Sequence, residues 1–247
     1  MEKMRCGDVH AAADVLVAAF DGDPVYKKSY PFQMLRQSSV YAMFAAGIYC
    51  LNMRSTRVLK DNDGKIVAAV VFEDEKLFPL LQLVGFIVQS QLMLFLLFKK
   101  IVLYSVAHGA VYVVALPITL PLVFVGYNLG NLFFGSNLVV AYCKGYSLGR
   151  KGGWHKQKKK HLLAIGTLPS EQGKGYGSTL LKEALAELEA EKYYGGYNLE
   201  SSNPRNVSFY ERNGFLNLGA VSLSGMVVTL MVRPDLYQPM PAGAITA

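Results

Sequence analysis

Apolar residues recur at helical spacing from Val9 to Phe20, behind Asp8, and predict a helix. Asp21-Gly22-Asp23-Pro24 stops it, because glycine and proline continue a helix poorly. A second helix is expected over Phe32–Ile48. Arg57–Lys60 and Lys65–Phe72 then read as strands. Asp61-Asn62-Asp63-Gly64 between them suits a hairpin turn, since Asn and Gly tolerate positive φ.

Regular patterning resumes near residue 160. His161–Thr167 reads as a buried strand, and Gly173–Gly177 as a glycine-rich turn. Ser178–Lys192 is an amphipathic helix, with Leu180, Leu181, Ala184, Leu185 and Leu188 on one face. Tyr197–Glu200 is a short strand, followed by a helix over Pro204–Asn213 with Asn203 as its cap and Gly214 beyond its end. Gly219–Leu223 and Val227–Val232 close the chain as a strand pair. Together these predict an α+β domain in two halves, 1–76 and 148–247, separated by residues 77–147.

The middle stretch differs in charge. Residues 1–76 are neutral overall and 148–247 carry +4, whereas 77–147 hold only Lys99, Lys100 and Lys144. No charge falls between Ile101 and Cys143, which exceeds the roughly 20 apolar residues a membrane-spanning helix needs. If the strands on either side share one sheet, both ends of the insert lie on one side of a membrane, and crossings number zero or two. A hairpin of 101–125 with 129–147, turning at 126–131, meets that condition. Arg150, Lys151, Lys156, Lys158, Lys159 and Lys160 follow it, a run suited to anionic lipid heads on the cytosolic side. The other reading of the insert is a soluble helical subdomain with a large apolar face. The basic residues show no whole-surface footprint, so no nucleic-acid partner is expected. Cys6, Cys50 and Cys143 lie far apart, which argues against a zinc site or a disulfide scaffold and makes a reducing compartment the default.

Chemistry concentrates in Gln172-Gly173-Lys174-Gly175-Tyr176-Gly177, between a strand and a helix. Unpaired amides and a positive dipole at a helix start suit a phosphate, and glycines let the backbone come close. The spacing is not that of a dinucleotide fingerprint, nor does Lys174 precede Ser or Thr as in a P-loop.

This turn resembles the acetyl-coenzyme A signature of the GNAT N-acetyltransferases, Gln/Arg-x-x-Gly-x-Gly/Ala, with Gln172, Gly175 and Gly177 at the defining positions. The run from Leu199 through Asn203 and Tyr210 to Gly214-Phe215 is similar to the second half of the same fold. The resemblance covers roughly 1–76 and 148–247. It implies a mixed, mostly antiparallel central sheet flanked by helices, here with an apolar helical insertion, and acetyl-CoA as cosubstrate.

The resemblance also implies roles. The backbone of Ile165, Gly166 and Thr167 would hold the acetyl carbonyl and pantetheine arm. The amides of Gly173, Lys174, Gly175, Tyr176 and Gly177 would hold the pyrophosphate, with Gln172 heading the motif. Asn203 would contact the pantetheine or phosphate region, and Tyr210 would protonate the departing thiolate. A base must free the attacking amine; Glu200 is the first candidate, with His161 and Glu73 behind it. The expected activity is acetyl transfer to a primary amine by a protein bound to membrane lipid through 77–147 and the basic run. A catalytically silent subunit with membrane-complex partners is the alternative, and a soluble enzyme whose insert binds an apolar substrate or partner is a third.

Overall fold

A computed structural model describes residues 1–31, 33–48, 55–74, 121, 125, 128–130, 132–133, 160–191, 196–223 and 225–234. The strands are β1 Glu2–Lys3, β2 Thr56–Lys60, β3 Ile66–Asp74, β4 Lys160–Thr167, β5 Gly196–Ser201, β6 Leu216–Leu223 and β7 Met226–Pro234. They form one sheet of order β1-β2-β3-β4-β5-β7-β6, antiparallel except between β4 and β5. The helices are α1 Val9–Phe20, α2 Pro24–Ser29, α3 Gln33–Gly47, α4 Tyr176–Ala190 and α5 Val207–Glu211.

Two apolar layers sandwich the sheet. On one face Ala12, Leu16, Phe44 and Ile48 pack on Val71 and Ala164, so α1 and α3 cover that side. On the other, the leucines of α4 and Tyr210 of α5 pack on Phe72, Leu162 and Leu199. Gly166 sits where α1 comes closest: a Cβ there would lie 2.7 Å from the Ala19 methyl. Arg57 of β2 grips Glu187 of α4 through both carboxylate oxygens, at 2.8 and 3.1 Å, and ties that helix to the sheet.

Strand β4 carries a bulge. Val71 pairs with Ala164 but its neighbour Phe72 pairs with Leu162, so Leu163 has no opposite residue. The extra residue lets both Leu163 and Ala164 face the α1/α3 layer. Counting in twos from Leu163, from Val71 and from the oppositely facing Leu199 puts His161, Glu73 and Glu200 on that same face.

Several expectations needed adjustment. Asp21–Pro24 ends α1 but also starts α2: the Asp23 side chain accepts from the Val25 amide at 2.9 Å, and Pro24 takes the first helical position. The expected Pro204–Asn213 helix is a 3-10 turn, Pro204–Asn206, then α5, because the Asn203 side chain captures the Arg205 amide and tightens the start. Lys160 leaves the basic run: it belongs to β4 and is 4% exposed, while the rest of that run lies outside the described residues. Most of the insert 77–147 also lies outside them, and no helix among the described residues is long and apolar enough to cross a membrane. At 126–131, where a hairpin turn was expected, Asn128, Leu129 and Gly130 are helical, as are 125, 132 and 133. A Cβ on Gly130 would run into the Tyr30 ring and come within 2.8 Å of the Ser29 carbonyl oxygen. Gly130 therefore packs against the end of α2.

Candidate active site

Strands β4 and β5 run parallel but pair only at Lys160–Tyr197 and His161–Asn198. Beyond that point Leu162–Thr167 have no β5 partner, and the two strands part into a wedge. Among the described residues no strand pairs with β4 on that side along Ile165, Gly166 and Thr167, while its other edge is bonded to β3.

The glycine turn closes one end of the wedge. Gly173 and Gly175 have φ of +82° and +84°, a conformation side-chain-bearing residues rarely adopt, and a Cβ on either would meet nothing within 4 Å. Gly175 caps α4, whose first turn holds no acidic residue and whose cap makes no side-chain hydrogen bond. The leading amides are therefore open to an anion, which is what a pyrophosphate requires. Gln172 donates to the Thr167 carbonyl at 3.3 Å, closing the loop onto β4, and Lys174 pairs with Glu171 at 2.8 Å. Tyr176 begins α4, and Gly177 leaves 3.1 Å between a would-be Cβ and Thr167 Oγ1. The turn and that strand edge thus fit a phosphate-bearing arm laid along β4.

Helix α5 lies near the start of α4, where a Cβ on Gly177 would come within 3.8 Å of the Phe209 ring. Tyr210 is buried between Phe209 and Phe215, with ring centroids 5.2 and 5.8 Å away. Burial, and then the nearby Asp23 charge, push its phenol well above the ordinary value, so it stays protonated. Asn203 works as a cap: its side chain accepts from Arg205, and its carbonyl accepts from Ser201 Oγ at 3.1 Å.

Two polar groupings line the α1/α3 side. The first unites the three sequence candidates for the base. His161 Nε2 lies 2.6 Å from Glu200 Oε2, and its Nδ1 lies 4.0 Å from Glu73 Oε2. Burial works to strip the imidazole of its proton, but the charge and hydrogen bond of Glu200, then those of Glu73, outweigh it and raise the pKa to about 10. Burial would raise Glu200 in turn, yet the imidazolium holds it below the ordinary carboxylate value. The Glu200 carboxylate is therefore already engaged.

The second grouping was not read from the sequence. Asp23 is 9% exposed and accepts from Ser202 Oγ at 2.7 Å, just beyond β5. Burial lifts its pKa, against the opposing hydrogen bonds from Ser202, Val25 and Tyr26. Its charge also acts on the Tyr210 phenol and raises its pKa further. The signal was present as Asp-Pro, a cap followed by a first-turn proline, and was spent on ending α1.

Residues 134–216 match the family model described as acetyltransferase (GNAT) domain. Over that stretch the chain is similar to the GNAT acetyltransferases. Among solved structures, one described as histone acetyltransferase HPA2 and related acetyltransferase from Corynebacterium glutamicum aligns with a TM-score of 0.53 at 16% identity, covering 98% of this chain and 97% of that one. A mutant agmatine N-acetyltransferase in its apo form aligns at 0.56 with 13% identity, covering 94% and 97%. Arylalkylamine N-acetyltransferase 2 from Aedes aegypti aligns at 0.54 with 10% identity, covering 95% and 97%. No curated protein matches the chain in sequence. At such identities the structural likeness speaks for the GNAT fold, while substrate and role rest on the residues.

Proposed function

We propose that the protein transfers the acetyl group of acetyl-CoA to a primary amine by direct attack of the amine on the thioester. The observation that carries this is the wedge between β4 and β5, with an open glycine-capped helix start and a buried phenol on the helix near it. Gly173 to Gly177 hold the pyrophosphate, the β4 edge from Ile165 to Thr167 holds the pantetheine arm, and Asn203 borders it. Bound acetyl-CoA supplies the activated carbonyl.

Proton movements fall to this chain's side chains. The ammonium form of the acceptor cannot attack, so its proton must leave. Asp23 is the better placed carboxylate: burial raises its proton affinity and its charge acts on the Tyr210 phenol, whereas Glu200 is held by His161. Asp23 takes the proton, and Ser202 orients it. The C–N bond forms, the C–S bond breaks, Tyr210 gives its proton to the leaving sulfur, and the second proton shed by the acylated nitrogen restores the phenol. Two of the aligned structures carry names of enzymes acting on agmatine and arylalkylamines, which supports a small amine as acceptor. The protein associates with membrane lipid through 77–147, its catalytic domain on the cytosolic or equivalent reducing side.

Calorimetric titration with acetyl-CoA tests this reading, with Gly175→Glu as control. Binding by wild type and not by the variant is expected, followed by turnover of a small amine. A folded wild type that binds no acetyl-CoA would overturn it in favour of a catalytically silent subunit.

A further inference from the structure

Strand β5 carries a row of polar residues on the α1/α3 side of the sheet. Leu199 faces the α4 layer, so its neighbours Asn198 and Glu200 face the other way, with His161 and Glu73. Ser202, two residues beyond Glu200, holds Asp23 on that side, where Tyr26 and Tyr30 of α2 join the layer. The row runs along the wedge. Asn198 and His161 pair at its closed end, and Ser202 lies past the point where pairing of β4 with β5 stops.

Two features of this row call for a cation. Acids outnumber bases: Glu73, Glu200 and Asp23 are set against His161, and no Lys or Arg among the described residues forms an ion pair with any of the three. Glu73 Oε2 stands 4.0 Å from His161 Nδ1, beyond a hydrogen bond, so that oxygen can still take a donor. The second feature is independent of charge. The Asn198 amide oxygen is buried and accepts no hydrogen bond among the described residues. Val232, its partner on β7, is apolar, and His161, its partner on β4, turns its ring nitrogens toward the two glutamates. A buried acceptor with no donor is destabilising, and a ligand N–H relieves it. The side chains of Glu200, His161 and Glu73 keep 18%, 19% and 20% exposure, so a ligand can reach the group.

We propose that Glu73, Glu200 and Asn198 form a subsite for a second cationic group on the acceptor, so that the preferred substrate is an alkylamine ending in an ammonium or guanidinium. The proposal rests on the acetyl-transfer reading and narrows its substrate. Spacing sets the length: two residues along one strand are about 7 Å apart, the span of an aliphatic chain of about four or five carbons. The reacting nitrogen sits at Asp23, beside the open wedge, and the far cation points to the closed end. There it donates to Glu73 and to the Asn198 amide oxygen.

The test is acetyl transfer to three four-carbon acceptors: the diamine, the matching aminoalkylguanidine and the monoamine. Wild type is expected to favour a dication over the monoamine by roughly tenfold to hundredfold in kcat/KM, the worth of a hydrogen bond to a charged group. A preference for either dication supports the subsite and identifies its head group. In Glu73→Gln the preference should fall about tenfold or more, and in Asn198→Leu by less. The ratio is read within each protein, so a general loss of activity cancels. Wild type that treats dication and monoamine alike would overturn the subsite and leave acetyl transfer standing. A preference that survives Glu73→Gln would overturn its assignment to this cluster. Calorimetry with the dications covers a protein that transfers no acetyl group. Dication binding that Glu73→Gln abolishes would then overturn the catalytic reading alone, and absence of dication binding would overturn both.

Discussion

Asp23, at the cap of α2, accepts a 2.7 Å hydrogen bond from Ser202, 179 residues further along the chain, at the end of β5. It joins the two halves of the chain through a carboxylate with raised proton affinity, whose charge also raises the Tyr210 phenol. Asp23 lies outside both runs that carry the resemblance, and Ser202 within the second, yet their union defines the proposed chemistry.

Asp23→Asn keeps the shape and the capping oxygen but removes the base. The turnover number is expected to fall about 100-fold, with binding of acetyl-CoA unchanged by calorimetry. The pH profile separates loss of a base from loss of structure. Wild-type rate should rise with pH through a value above the ordinary carboxylate range, since burial raises the Asp23 pKa. In the variant that limb disappears, and rate climbs only as the acceptor amine itself loses its proton.

Arg36 holds the segment that carries Asp23. It reaches from α3, 7% exposed, and donates to Asp21 Oδ1 and to the Tyr30 carbonyl, each at 3.2 Å. These partners flank α2, so one guanidinium fixes both ends of that helix. Arg36→Gln should cost about 3 kcal/mol in thermal or urea unfolding, because it strands Asp21 and a carbonyl. Arg36→Lys should restore part of the stability and little of the turnover, since an ammonium cannot reproduce the fork.

The outline of the fold was legible because it depends on local pattern. α1 was read to the residue from the spacing of its apolar positions, and the glycine turn from Gly173 and Gly175, whose positive φ only glycine adopts freely. β1, two residues long, was invisible because it has no local pattern of its own and forms by pairing with β2. The bulge at Leu163 lies in a continuous apolar run, where a one-residue shift leaves no trace. The Glu73–His161–Glu200 grouping drew its members from three strands, and sequence could rank them only as rivals. Residues 126–131 have the small and polar composition of a turn, yet 128–130 are helical, with Gly130 packed on Tyr30.

His161 gives stability a defined pH window. Its folded pKa, about 10, lies above the ordinary 6.5, so its contribution is complete below about 6.5 and is lost as pH rises through 10. Glu200 is lowered from 4.5, so its contribution is present above that value and is lost as pH falls below it. The advantage of wild type over His161→Gln, followed by thermal unfolding, should therefore be greatest between about pH 5 and 7 and shrink toward pH 10. An advantage that grew toward pH 10 would refute the assignment of a protonated imidazole.

Gly166→Ala probes the packing of α1 on β4 without touching a polar group. The new methyl would stand 2.7 Å from Ala19 and 3.2 Å from Leu16 Cδ2. Ala19 has no torsion with which to yield, so helix and strand must separate. A loss of about 1–3 kcal/mol is expected in urea unfolding. Because the same residue edges the wedge, affinity for acetyl-CoA should fall with it. Ala19→Gly beside Gly166→Ala restores the space and should recover affinity along with part of the stability, the remainder reflecting a glycine inside a helix.

Tyr210→Phe separates the two halves of the reaction. The ring is buried among aromatics, so the substitution preserves packing, and its hydroxyl makes no hydrogen bond among the described residues. Stability should change little. Turnover should drop about 100-fold while KM for acetyl-CoA holds, because the lost interaction forms only as the sulfur departs. The decisive comparison uses an acetyl donor with a leaving group of lower pKa, such as an aryl thioester of the same pantetheine arm. Such a sulfur needs no proton to leave, so the variant should approach wild type on that donor. An equal deficit on both donors would move Tyr210 from proton donor to wall of the wedge.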